Sequence, residues 1–198
     1  MFWLLTAFWA AGLVASGVAP YDRVTWLMEV LPAIIAWPIL FATRERFRFT
    51  DLCMALIALH GLILMLGGAY TYARVPLGFW LQDLLQTERN PYDRIGHLAQ
   101  GFVPAIVARE LLVRVFRIPG RRLAAFLSLC ICLAISATYE LIEWAAAIGM
   151  GQGADEFLGT QGDEWDTQSD MFMALIGALA ALLLLPRWHD RQMQARGI

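Results

Sequence analysis

Apolar blocks long enough to cross a lipid bilayer constrain this chain more than any other feature. They cover approximately residues 2–19, 24–42, 52–70, 95–116, 123–148 and 169–186. A hydrocarbon core of about 30 Å needs about 20 residues at a rise of about 1.5 Å each. The expected fold class is therefore all-α, a polytopic transmembrane bundle of about six helices in a single integral membrane domain over residues 1–198. Composition agrees, because only 16% of the residues are charged, against about 25% in soluble domains. The first block, MFWLLTAFWAAGLVASGVA, lacks the basic flank of a cleaved signal and reads as a retained anchor.

The basic residues orient the bundle. Ten arginines follow spans two, four and six, against four in the other connections (Arg23, Arg74, Arg89 and Arg94). The positive-inside rule then puts both termini in the cytoplasm and the acidic connection before span six outside. Those arginines are explained by orientation, so nucleic-acid binding is not expected. Between spans three and four, Leu77, Trp80, Leu81, Leu84 and Leu85 share one helical face, the pattern of a short helix lying in the outer interface. Cys53, Cys130 and Cys132 sit inside apolar blocks and read as small buried hydrophobes.

Charges inside apolar spans cost at least about 2.5–3.5 kcal/mol near a helix centre, so each needs a reason. Three groups stand out: Asp93 and His97 in YDRIGH, Glu140 and Glu143 in YELIEW, and Asp163, Asp166 and Asp170 leading into span six. Spacings of three and four put each pair on one helix face. If span five surfaces near residue 148, Glu143 and Glu140 lie about 8 and 12 Å below the outer face, and His97 and Asp170 lie roughly one turn below it. Carboxylates gathered in low dielectric must be protonated or neutralised by a cation. A divalent ion held by His97, Glu140, Glu143, Asp166 and Asp170 is the expected solution, and oxygen-rich ligation of this kind suits Mg, Mn, Fe or Zn.

Simpler roles compete. Asp93 and Asp166 can cap helices, Asp163 and Glu164 can be solvated, and Arg94 can pair with a buried Glu. Glu29, one turn below the outer face, is a lesser candidate for the cluster. His60 reads as a packing histidine, and Arg109 with Glu110 as an inner-end pair whose arginine snorkels. The glycine-rich stretch 149–162 is too acidic to cradle phosphate without a metal, and flexibility is its simpler reading.

NPYDRIGHLAQGF, ATYELIEW and FLGTQGDEWDTQSDM, in that order, resemble the YjdF-like family of bacterial inner-membrane proteins over roughly residues 20–186. The resemblance implies a multi-pass protein of the bacterial inner membrane and carries over Asp93, His97, Glu140, Glu143, Asp163, Asp166 and Asp170 as its polar signature; it implies no reaction. A weaker, fold-level similarity to VanZ-like membrane proteins rests on a helix-terminal Asp before a Gly-containing apolar span.

Three functions are compatible with these residues. In the first, the metal activates water in the outer leaflet, with Asp93, His97 and Asp163 as the acid–base groups. Its substrate would be a lipid or lipid-linked phosphate arriving sideways from the surrounding membrane lipids. In the second, the same cluster staples helices in a non-catalytic structural or interaction protein. In the third it serves a cation or proton-coupled transporter, weakened because only His60 and Gln100 continue toward the inner face and no inverted repeat is visible. No HExxH, GxSxG or P-loop is present to decide among them.

Overall fold

The computed structural model describes residues 2–150 and 160–197. Among these residues the chain is all-helical and has no strand. Its α-helices are α1 (Phe2–Val18), α2 (Arg23–Thr43), α3 (Asp51–Tyr70), α4 (Pro76–Leu85), α5 (Tyr92–Arg114), α6 (Arg121–Met150), α7 (Asp166–Leu184) and α8 (Pro186–Gln194). The stretch 149–162 lies for the most part outside the described residues.

Local chemistry sets the helix ends. The Asp22 carboxylate accepts the Thr25 N–H at 2.8 Å and starts α2, and the Thr50 hydroxyl accepts the Cys53 N–H at 3.3 Å to start α3. Each satisfies a donor that the first turn leaves open. Pro76 and Pro186 open α4 and α8, where a missing N–H costs nothing. Thr71 and Gln86 close α3 and α4 in the left-handed region.

Among the described residues four helices, α2, α3, α6 and α7, are long and apolar enough to cross a membrane. α1 is apolar over 17 residues, shorter than the usual span. α5 has 23 residues, but it carries Asp93, Arg94, Arg109, Glu110 and Arg114. It can carry them because it is the inner helix: α7, α6 and α3 pack around it, and α1 and α2 pack on α3. Close backbone approach makes the α5–α7 contact. A Cβ at Gly101 would overlap the Ala174 carbonyl, and one at Gly177 would overlap the Leu98 carbonyl. Small residues at a helix crossing permit that distance. Trp9 stacks on Trp37 with ring centroids 4.6 Å apart, and the Trp26 indole N–H donates to Ser16 at 3.1 Å, tying α1 to α2.

α4 is a helix, as expected, and its Leu77, Trp80, Leu84 and Leu85 are exposed. The cysteine reading needs one correction. Cys53 and Cys132 are buried but Cys130 is exposed, because it lies on the outward flank of α6.

Candidate functional site

The first turns of α5 and α7, the last part of α6 and the second turn of α2 meet at one end of the bundle. Asp93 and His97 come from α5, Glu140 and Glu143 from α6, Asp166 and Asp170 from α7, and Glu29 from α2; all seven are buried. His97 is the hub. Its Nε2 lies 3.6 Å from Asp93 Oδ1 and 3.9 Å from Asp170 Oδ2, and its Nδ1 lies 3.8 Å from Glu140 Oε1. Asp93, His97 and Asp170 each offer a ligand atom within 4.8 Å of the others. Three carboxylate oxygens around this hub, Asp93 Oδ2, Glu140 Oε1 and Asp170 Oδ1, are enclosed with no hydrogen-bond partner.

The tautomer of His97 sharpens this. Gln100 Oε1 stands 3.0 Å from Nδ1; with the amide in that orientation Nδ1 is the donor of the pair and Nε2 keeps a lone pair. The Nε2 lone pair then points toward two carboxylate oxygens. Lone pair against carboxylate is repulsive unless a positive species lies between them.

Part of the compensating charge comes from an arginine that the sequence reading did not pair with the acids. Arg89, just ahead of α5, forms ion pairs with Asp93 at 3.5 Å, with Asp163 at 3.2 Å and with Asp166. Arg94 pairs with Asp163 at 3.0 Å, not with a buried Glu. The Trp165 backbone N–H, together with Arg89 and Arg94, holds the Asp163 carboxyl below its ordinary range. A lowered carboxyl contributes stability above its usual value of 3.8 and loses it as pH falls further, so this clamp stays intact at neutral pH. Asn90 fixes the same turn, its N–H donating to Gln161 Oε1 and its carbonyl accepting from Gln161 Nε2, both at 3.0 Å. The acidic run therefore has two parts: Asp163 fastens the turn to arginines, and Asp166 and Asp170 are delivered into the cluster.

Glu143 and Glu29 lie beside the hub, on the wall of a cavity of about 430 Å³, within the size range of small-molecule sites. The Tyr139 hydroxyl donates to Glu29 Oε2 at 3.2 Å across the α2–α6 seam. From Asp93 the cavity runs along α5 as far as Leu111, about 27 Å at helical rise. Beyond Gln100 the α5 lining is apolar: Val103, Pro104, Val107 and Leu111. Ile39 and Ile135 flank it from α2 and α6 and are themselves exposed, so the cavity opens sideways between those helices.

The opposite end holds a second polar cluster. Arg109 and Glu110 are buried rather than snorkelling, because α8 folds back over them. Arg109 donates to His189 Nδ1 at 3.0 Å and to Asp190 at 2.6 Å. Glu110 accepts from the Thr50 N–H at 2.9 Å, the Thr50 hydroxyl at 2.6 Å, the Cys53 thiol at 2.9 Å and His189 Nε2 at 2.9 Å, and it pairs with Arg114. Cys53, Glu110 and His189 also stand within metal-ligand reach of one another. Here, however, Arg109 takes the Nδ1 lone pair, Nε2 carries the proton, and every acceptor is matched by a donor. This end is a latch for α8. Pro186 ahead of RWHDR was the signal available in the sequence.

A family model described as "Predicted membrane protein (DUF2238)" matches residues 1–191. The "Inner membrane protein YjdF" of Escherichia coli (strain K12) is 58% identical over 186 residues, which cover 94% of this chain and 89% of that protein. No solved structure matches the chain.

Proposed function

The chain belongs to the DUF2238 family of membrane proteins, and from the geometry of its polar end we propose that it is a metal-dependent hydrolase of lipid phosphates in the inner membrane. α1 and α5 complete a bundle of six spans with both termini in the cytoplasm, α4 lies in the outer interface, and the His97 cluster faces outward. One observation carries the reading: His97 Nε2 lies 3.6 Å from Asp93 Oδ1 and 3.9 Å from Asp170 Oδ2, and the three buried side chains offer ligand atoms within 4.8 Å of one another, which is the donor set of a divalent cation.

Asp93, His97 and Asp170 would hold the ion, with Glu140 beside them. When bound, the ion neutralises phosphate charge and lowers the pKa of coordinated water. Asp166 fixes Arg89, which completes the positive side of the phosphate pocket. Asp93, whose Oδ2 faces Arg89 at 3.5 Å, would take the proton from the attacking water and return it to the departing lipid alcohol. The water oxygen bonds to phosphorus as the phosphorus–alcohol bond breaks. Asp163, held by two arginines, positions the turn. The apolar cavity receives the lipid's hydrocarbon through the α2–α6 opening. Its apolar inner half supplies none of the polar stations that a cation path requires.

Arg89 supports a second reading. Its pairs with Asp93, Asp163 and Asp166, together with a proton on His97 Nε2, make the same cluster a staple without metal.

Phosphate release separates the two. The protein in detergent is given dioctanoyl phosphatidic acid or farnesyl phosphate, with chelator and after re-addition of Zn, Mn, Fe or Mg. Release is expected to stop with chelator, return with one of the ions, and fall about 10²-fold or more in Asp93→Asn. Turnover indifferent to chelator, or no turnover of either lipid with any ion, would leave the staple reading in possession.

A further inference from the structure

Resting on the reading that a lipid phosphate sits at the His97 end, we propose that the lipid is an ester-linked glycerolipid, and that His60 receives one of its acyl carbonyls. His60 lines the cavity from α3. Its Nε2 is enclosed without a hydrogen-bond partner, and no other described residue bonds to the ring. An imidazole in that condition, beside Ile57, Leu64 and Val103 on the cavity wall, forfeits hydrogen bonds that an all-apolar occupant cannot restore.

Its depth selects the chemistry of the partner. Tyr72 lies between Gly67 of α3 and Gly96 of α5, its ring against both, so these two residues stand level. His97 is one residue beyond Gly96, and His60 is seven residues from Gly67 in the inward direction. At helical rise His60 is thus about 9 Å deeper than His97. A lipid with its phosphate at His97 passes its next few bonds through this layer. In an isoprenoid phosphate those bonds are hydrocarbon, and His60 stays unpaired. In a glycerolipid the ester carbonyls follow the glycerol there, and a carbonyl accepts from an imidazole N–H. Glycine at position 61, against the face of Trp9, keeps that side of α3 narrow beside the ring.

The test compares three phosphates on the full-length protein in detergent: dioctanoyl phosphatidic acid, its dioctyl ether analogue without the carbonyls, and farnesyl phosphate. Affinities are read by native mass spectrometry and tryptophan fluorescence for wild type, His60→Leu and His60→Gln, with metal content measured on each sample. The expected result is a diacyl preference over the ether of about tenfold, the worth of one hydrogen bond. The preference disappears in His60→Leu and persists in His60→Gln, with metal content unchanged. Should His60→Leu fail to fold, the diacyl-to-ether ratio in wild type and His60→Gln decides. Equal affinity for diacyl and ether, or tighter binding of farnesyl phosphate, in a metal-loaded protein overturns this inference alone and leaves His60 facing water only. Protein without metal that binds none of the three overturns the underlying reading with it.

Discussion

Glu140→Gln combined with Asp170→Asn gives a protein that melts above wild type in chelator and does not respond to divalent ions. Both residues are buried, each has an oxygen with no hydrogen-bond partner, and each faces His97 at close to 4 Å, 3.8 Å for Glu140 and 3.9 Å for Asp170. Replacing carboxylates by amides of the same shape removes like-charge repulsion and supplies N–H donors. Without metal that is a gain, the usual relation between a strained site and stability. On the cation-site proposal, wild type is expected to regain the difference by binding an ion. At a hundredfold excess over Kd the linkage is worth about 2.7 kcal/mol, and at about 2–4 °C per kcal/mol for a chain of this size the wild-type Tm rises by roughly 5–11 °C. The double variant shows none of that rise. Thermal melts with chelator and with each ion check it. If the variant instead melts lower in chelator, the carboxylates are already satisfied, and the arginine-based staple describes this end of the protein.

Gly101→Leu is expected to be the most damaging single substitution in the bundle. A Cβ at position 101 lands on the Ala174 carbonyl, with the Ala174 carbonyl carbon at 2.6 Å and Cα at 2.8 Å. Backbone cannot rotate away as a side-chain tip can. Overpacking in cores costs about 1–3 kcal/mol and at times more, and a wedge between two backbones belongs at the upper end. The expected loss is about 3 kcal/mol, a Tm lower by roughly 6–12 °C. The same wedge acts on the site. His97 lies one turn before Gly101 and Asp170 one turn before Ala174, so separating α5 from α7 separates His97 from Asp170, and metal affinity falls with stability. Gly149→Ala is the control, because a Cβ there meets nothing within 4 Å and helix propensity favours alanine. Equal melts for Gly101→Leu and Gly149→Ala would mean that the α5–α7 contact is looser than described.

The parts legible in the sequence were those with a one-dimensional signature. Apolar blocks have a length, and the helices begin and end within three residues of the blocks read from hydropathy. Paired acids have a spacing, and Asp93 with His97, Glu140 with Glu143 and Asp166 with Asp170 each share a helix face. What stayed hidden depends on chain reversal. Arg89 meets Asp163 and Asp166 only because the turn at Gln161, held at a positive φ of 47°, brings the acidic run back over the start of α5. Arg109 and Glu110 look like an inner-end pair until α8 folds beneath the bundle and places His189 and Asp190 against them. The cavity has no sequence signature at all, being space left where α2 packs on α3 and α6 packs on α5. Two buried histidines make the same point. His97 beside Gln100 and His189 beside Arg109 look alike in a sequence, yet Arg109 can only donate to its histidine, while Gln100 Oε1 faces His97 Nδ1 as an acceptor. One leaves a lone pair open toward carboxylates, and the other uses it.

That contrast defines the most direct measurement: the metal content of detergent-purified protein by elemental analysis, for wild type, His97→Ala and His189→Ala. One divalent ion per chain is expected in wild type, none in His97→Ala, and one in whatever fraction of His189→Ala remains folded. Folded wild-type protein free of metal after growth and dialysis with Zn, Mn, Fe and Mg, or an ion that survives loss of His97, would contradict the cation site on which the proposed chemistry depends.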